Sequence, residues 1–290
     1  VLSSTVIMQS PTTLAEALTL LAAGTATGAL QPLAGGTDIL PARATAEAWM
    51  RPASAPFLDL SRVASLAGIA DAADHHRIGA GVTWATLRDA PLPPWFDGLR
   101  MAAAQVGGVQ VQNRATLMGN LCNASPAADG VPPLLALDAM VELASPRGLR
   151  RIPLAGFVLG NRQTALASDE IATAVIVPKP AMASRAVFQK LGARAYLVIS
   201  IVMVAVVAEI DGGAIARARI AVGACSPVAQ RLPMLEAVLR GAALTTAAGL
   251  VVPDHLAALT PIDDVRATAT YRRHAALVLV RRALAEACGT

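Results

Sequence analysis

Thr116-Leu117-Met118-Gly119-Asn120-Leu121-Cys122-Asn123-Ala124-Ser125-Pro126-Ala127-Ala128-Asp129 is the stretch from which the rest of the chain can be read. It has the composition of a tight polar loop: Gly119 permits an unusual backbone angle, and Thr116, Asn120, Asn123 and Ser125 carry hydrogen-bonding groups. Polarity without a run of charge suits a neutral or anionic ligand held by backbone and amide contacts. Asp129 closes the stretch just ahead of the apolar run 131–137. A second glycine-containing loop, Leu33-Ala34-Gly35-Gly36-Thr37-Asp38-Ile39, lies upstream. Two such loops in one chain are expected to grip one elongated ligand from both sides.

The 290 residues exceed a typical single domain, so two or three packed units are expected. Hydrophobic residues make up 54% and charged residues 15%, which is ample material for a core. The only lysines are Lys179 and Lys190, and arginine supplies the other basic residues. A net charge of +4 with no basic block interleaved with aromatics argues against nucleic-acid binding. The N-terminus lacks the layout of a secretory signal, and the apolar run 197–208 is too short for a membrane span. That run is rich in β-branched residues and reads as a buried strand, and the chain as soluble and cytoplasmic. Cys122, Cys225 and Cys288 are widely separated without metal-ligand spacing. Three thiols cannot hold an iron–sulfur cluster that wants about four.

Thr13 and Glu16 form a capping box for a helix running to Ala23, where Gly24 supplies the stop. Strand-like segments follow at 31–33, 55–59, 68–70 and 77–80, with helices at 99–106 and within 128–137. Strands at 140–144 and 170–177 end the first region, and Pro178-Lys179-Pro180 is the boundary. Beyond it, 186–191, 199–210 and 214–224 read as strands, the last two joined by an Asp211-Gly212-Gly213 hairpin turn. Helices at 233–241 and 265–287 complete the chain. The expected C-terminal unit is a small antiparallel sheet covered by helices.

Gly35-Gly36 is either a concave anion site of backbone N–H groups or an ordinary turn. Gly79-Ala80-Gly81 lacks the third glycine of a dinucleotide fingerprint, and no P-loop occurs, so its glycines serve packing or a turn. Asp129 can accept from hydroxyls or cap the following helix. Cys122 can act as a nucleophile or flavin attachment point, or fill space as a small apolar side chain, and with no histidine near it in sequence the last is favoured. His75 and His76 are placed in a polar surface turn, and His255 and His274 are isolated. Hydrolytic motifs are missing. Lys190 is either a surface lysine or one that reaches a cofactor.

Taken together, these residues resemble the FAD-binding medium subunit of the molybdenum hydroxylases, the group that includes xanthine, carbon monoxide and nicotine-type dehydrogenases. The resemblance covers nearly the whole chain. It is carried by Ala34-Gly35-Gly36-Thr37-Asp38, by Thr116-x-x-Gly119-Asn120 through Ala124-Ser125-Pro126-x-x-Asp129, by Phe188-x-Lys190, by Ile199-Ser200-Ile201, and by Asp264-x-Arg266 with Tyr271-Arg272. It implies an α+β architecture: a two-subdomain FAD-binding domain of the vanillyl-alcohol-oxidase type over 1–178, split near 60, followed by an α+β domain over 179–290. It implies FAD contacts at Leu33, Ala34, Gly35, Gly36, Thr37, Asp38 and Ile39 in one set. A second set comprises Gly107, Thr116, Gly119, Asn120, Asn123 and Asp129, with Ile171 and Lys190 added. It further implies a large partner with the molybdenum cofactor and a small partner with two 2Fe-2S clusters, in a dimer of heterotrimers. Electrons would pass through FAD to NAD, oxygen, a quinone or a carrier protein, and no residue of this chain would act on the organic substrate. The alternative is a self-contained FAD-dependent oxidoreductase of the same FAD-domain superfamily. Two positions depart from the family pattern. Met118 stands where a glycine is usual, and the aromatic usual near the N-terminus is missing around Ile7-Met8-Gln9.

Overall fold

The strand Val202–Asp211 shows how the molecule is assembled. Its side chains alternate between two cores, as the period of two in a strand requires. Met203, Ala205 and Val207 enter one core, while Val202, Val204, Val206 and Ala208 enter the other. Neighbouring strands alternate in step: Ala186 and Phe188 face the first core and Val187 the second, and Ala221 faces the first while Ile220 and Val222 face the second. A strand buried on both sides reads as a continuous apolar run, which is the reason for the unbroken hydrophobicity here.

The chain is described from a computed structural model over residues 8–24, 28–51, 56–195 and 197–290. Three structural layers occur along it. The first is a three-stranded parallel sheet in the spatial order Met8–Gln9, Phe57–Asp59, Gln31–Leu33. Helix Leu14–Ala23 connects its outer strands, with Thr13 Oγ1 accepting from the Glu16 N–H at 3.2 Å. The Glu16 carboxylate reaches back to the Thr12 N–H at 2.8 Å, one residue short of the expected reciprocal bond. Gly24 ends the helix at φ +63°. Helix Ile39–Ala48 crosses between the other two strands and buries none of its residues.

The second layer is a five-stranded antiparallel sheet in the order Ile69–Asp71, His75–Gly79, Ile171–Pro178, Met140–Ser145, Gly148–Pro153. His75 and His76 lie in one of its strands instead of the expected surface turn, and His76 is buried against Phe96. Gly79 packs against the Leu66 carbonyl, where a Cβ would come within 2.3 Å, so close packing explains that glycine. The strand Gly148–Pro153 is absent from the sequence reading because its arginines hide the pattern; Arg150 and Arg151 are exposed and pair with Glu170 and Glu142.

The third layer is the antiparallel sheet Ser184–Leu191, Val202–Asp211, Ala214–Gly223, Gln230–Arg231. Its hairpin turns through Gly212 and Gly213, both at positive φ, the geometry that favours glycine. The expectation that 197–208 is one buried strand needs correction at its start. Leu197 and Ile199 are exposed, and regular pairing begins at Val202. Helix Ala269–Cys288 covers one face through Ala276, Val280, Ala283 and Leu284. Its predicted start at Val265 is four residues early, because Thr268 is the cap and Val265 is exposed. The sheet's other face packs on helix Asp97–Gln105 and helix Val131–Ala136. Helices therefore cover only one face of this sheet from its own unit.

Glu142 ties the second sheet together. Burial alone would raise its carboxyl, but hydrogen bonds from Arg151, Arg77 and Thr173 hold it below the ordinary value of 4.5. Glu170, bonded by Arg150, is lowered as well. Groups depressed in the folded state contribute stability above the unfolded value and lose it as pH falls through the folded one. Stability is thus expected to decline below about pH 4.5, and Glu142→Gln to flatten that decline in thermal unfolding followed across pH.

Candidate functional site

The first predicted loop leaves the parallel sheet at Leu33, whose carbonyl accepts from the Leu60 N–H at 2.8 Å. Gly36 takes φ +74°, and the chain enters helix Ile39–Ala48 with Asp38 at the cap position and no side-chain cap bond. Among the described residues, none of the backbone N–H groups of Ala34, Gly35, Gly36, Thr37, Asp38 and Ile39 is donated to another part of the chain. Six consecutive uncommitted donors at a helix start are available to anionic oxygens, a candidate cradle.

Gly35 is where the two predicted loops meet. A Cβ built there would lie 2.0 Å from the Arg114 carbonyl oxygen and 2.9 Å from the Ala115 Cα, so only glycine allows this approach. Ala115 in turn accepts from the Trp84 N–H at 3.1 Å, and Leu117 donates to the Val82 carbonyl at 3.1 Å. The backbone leading into Thr116 is therefore pinned between the 33–39 loop and the 82–84 segment.

The second stretch differs from the expected loop. Its first half is the helix Leu117–Asn123, capped by Thr116, whose Oγ1 accepts from the Gly119 N–H at 2.9 Å. Gly119 has ordinary helical geometry, and the left-handed residue is Ala124 at φ +47°. A Cβ at 119 would sit 2.9 Å from Thr116 Oγ1 and crowd the cap's own acceptor. Gly119→Val is accordingly expected to disturb the cap, costing about 1 kcal/mol of stability and weakening FAD binding. Thermal unfolding and FAD titration check this; a folded variant with both unchanged would remove the cap from the site. Met118, where a glycine is usual, is buried in the core.

The Asn120 side-chain oxygen accepts from the Gly130 N–H at 3.1 Å, and the Asn123 oxygen accepts from Arg162. Asp129 does not cap the following helix, which starts after Gly130 without a side-chain cap. Its Oδ2 accepts from Lys190 Nζ at 2.9 Å and its Oδ1 from Ser200 Oγ at 3.0 Å. Both ion-pair partners are largely buried. Burial raises the Asp129 carboxyl, and Lys190 and Ser200 only partly offset that. Lys190 also donates to the Gln105 carbonyl at 3.4 Å, close to Gly107, which turns the chain at φ +50°. Ile171 opens the central strand of the five-stranded sheet with its side chain in the core, against which helix Leu117–Asn123 packs. Cys122 packs on the same core, and burial pushes its thiol up to about 12, so it remains neutral.

The structure thus brings Gly35 to the start of the 116–129 stretch, and Asp129 to Lys190. Ile171 and the side chains of Asn120 and Asn123 are committed to the fold. Sequence reasoning missed Ser200 and Gln105 as site residues. Ser200 stood in a quoted motif, but its partner is distant in sequence, and Gln105 acts through a backbone carbonyl that any residue supplies.

Residues 4–180 match the model of the FAD binding domain in molybdopterin dehydrogenase, and residues 187–287 match the CO dehydrogenase flavoprotein C-terminal domain. The chain belongs to the family of FAD-binding medium subunits of the molybdenum hydroxylases, which are oxidoreductase components. It is 31% identical over 95% of its length to a xanthine dehydrogenase FAD-binding subunit of Escherichia coli O157:H7, covering 93% of that protein. It is 33% identical to the nicotine 6-hydroxylase medium subunit of Paenarthrobacter nicotinovorans, with 88% of each chain covered. A structure of reconstituted CO dehydrogenase from Oligotropha carboxidovorans superposes with a TM-score of 0.88 at 26% identity, covering 100% of this chain and 99% of that one.

The residues present fit FAD. The free amides of the Ala34–Ile39 stretch suit a diphosphate, and Gly35 lets the Arg114–Ala115 backbone close on the loop that carries them. The expected α+β architecture is the one found.

Proposed function

We propose that this chain is the electron-transfer subunit of a heteromeric molybdenum hydroxylase. In this reading it takes electrons from 2Fe-2S clusters in a small partner and delivers them to an external acceptor. A large partner with the molybdenum cofactor hydroxylates the organic substrate, in a cytoplasmic dimer of heterotrimers. The observation that carries the proposal is the run of uncommitted amides from Ala34 to Ile39, locked by Gly35 against the backbone ahead of Thr116. Flavin, when bound there, supplies a redox centre able to exchange electrons singly or in pairs.

The chain's own part is to bind and orient. The backbone of Leu33, Ala34, Gly35, Gly36, Thr37, Asp38 and Ile39 is assigned to the diphosphate. Thr116, Gly119, Asn120 and Asn123 are assigned to the facing wall, with Gly107 and Ile171 at its margins. Asp129 has lone pairs left after its two bonds and can accept from a ligand hydroxyl while Lys190 holds it in place. The division into 1–178 and 179–290 belongs to the same proposal. Among the described residues no group of three or more His, Cys, Asp or Glu is placed to hold a metal ion. No helix among them is long and apolar enough to cross a membrane.

Native purification tests the proposal directly. Flavin absorption bands with molybdenum and iron travelling alongside this chain are expected. Flavin without metals would replace the proposal by a self-contained flavin oxidoreductase, and a colourless preparation that takes up no FAD would end both.

A further inference from the structure

Three arginine and aspartate positions from the family motif remain without a task in the cofactor cradle: Asp264, Arg266 and Arg272. They form one buried-to-surface network. Arg266 clasps Asp264 with bonds of 2.6 and 3.1 Å and donates to the Ser200 carbonyl at 2.9 Å. Arg272 is fully buried; it donates to Asp264 at 2.6 Å, to the Ile201 carbonyl at 2.7 Å and to the Ala224 carbonyl at 3.1 Å. Asp264 lies well below the usual carboxylate range, held there chiefly by Arg266. The backbone on both sides of the Ser200–Ile201 peptide is therefore anchored by guanidinium groups from the C-terminal segment. Ser200 itself is fully buried, and its hydroxyl points to Asp129, at the end of the predicted cofactor wall. On the far side of Asp129, the Gly130 N–H holds Asn120.

We propose that Ser200 and Arg266 are positioning residues for the cofactor wall: the Asp264–Arg266–Arg272 cluster sets Ser200, and Ser200 sets Asp129 and the segment that ends at it. This rests on the proposed FAD site. A buried hydroxyl donating to a carboxylate is worth more than a neutral pair, and its removal leaves Asp129 Oδ1 without that donor. On this proposal part of the cofactor's affinity is held by the C-terminal segment, which reaches Asp129 through Lys190 and Ser200.

The test uses the 290-residue chain freed of flavin and titrated with FAD by fluorescence quenching, with thermal unfolding of each apo form. Ser200→Ala is expected to raise the FAD dissociation constant about tenfold. Ser200→Thr, which keeps the hydroxyl, is expected to recover most of that loss. The control is Ser184→Ala at the distal end of the strand that carries Lys190, where the hydroxyl bonds only the Met182 carbonyl. FAD affinity lost in the Ser200→Ala protein at a temperature where its apo form is still fully folded, and kept in the Ser184→Ala protein, is the expected pattern. Unchanged FAD affinity in folded Ser200→Ala, or an equal loss in Ser184→Ala, overturns the inference. Should Ser200→Ala not fold, Arg266→Lys serves, since it keeps the charge but not the fork, and unchanged affinity there overturns the inference equally. Failure of the wild-type chain to bind FAD would instead overturn the proposed function.

Discussion

Gly35→Ala is expected to lower FAD affinity by at least about a hundredfold, equivalent to about 2.7 kcal/mol, and to lower the melting temperature of the apo chain. The added methyl would lie 2.0 Å from the Arg114 carbonyl oxygen and 2.7 Å from its carbon. Real Cβ contacts almost never fall below 3.0 Å, so the two backbones must separate by about an ångström or more. Neither can yield easily. Leu33 is paired into the parallel sheet, and Ala115 is bonded to Trp84. Gly36→Ala offers the contrast. There the methyl meets the end of the Leu40 side chain at 2.8 Å, which can rotate away, and the main cost is the left-handed φ of +74°. That cost is about 1–2 kcal/mol. A Gly35→Ala protein that binds FAD as tightly as wild type would show that the loops do not form one cofactor wall.

Lys190→Met is expected to destabilise the chain by about 3–5 kcal/mol, because it leaves the Asp129 carboxylate buried without its cation. Removing both members should cost far less than removing one. Asp129→Asn combined with Lys190→Met is therefore expected to recover most of the loss, and urea unfolding of the two single variants and the double variant measures the coupling. The single variant carries a further signature. Burial already raises Asp129 with the lysine in place, so without it the carboxyl should protonate at still higher pH. A raised folded value stabilises the protonated form, so the Lys190→Met protein should regain stability on mild acidification. An unchanged unfolding midpoint would mean that the pair is not held together in solution.

Much of the fold was legible from local pattern. The Thr13 cap, the Gly24 stop, the glycine turn after Asp211 and the strand-like runs beyond Pro180 each follow from chemistry within a few residues, and each found its element. Errors arose where short-range composition and long-range burial disagree. His76 looks like a surface residue in a polar turn, yet pairing with Val177 draws it into a sheet. Arginine-rich Gly148–Pro153 looks like a loop, yet it is an edge strand whose charges are paired by Glu142 and Glu170. Gly119 suggests an unusual backbone angle, yet its backbone is helical, and a Cβ there would press on the Thr116 hydroxyl that caps the helix.

The sequence alone was enough to mark both glycine-bearing stretches and to place them in one family, because tight turns and close backbone approaches require particular residue types wherever they occur. It could not say which backbone Gly35 touches, that the 116–129 stretch begins as a helix, or that Asp129 faces Lys190 and Ser200. Those facts depend on segments far apart in the chain arriving at the same place, which is settled by two cores gripping opposite faces of a single sheet. Residue type limits what a position can do; the packing of distant segments decides which partner it does it with.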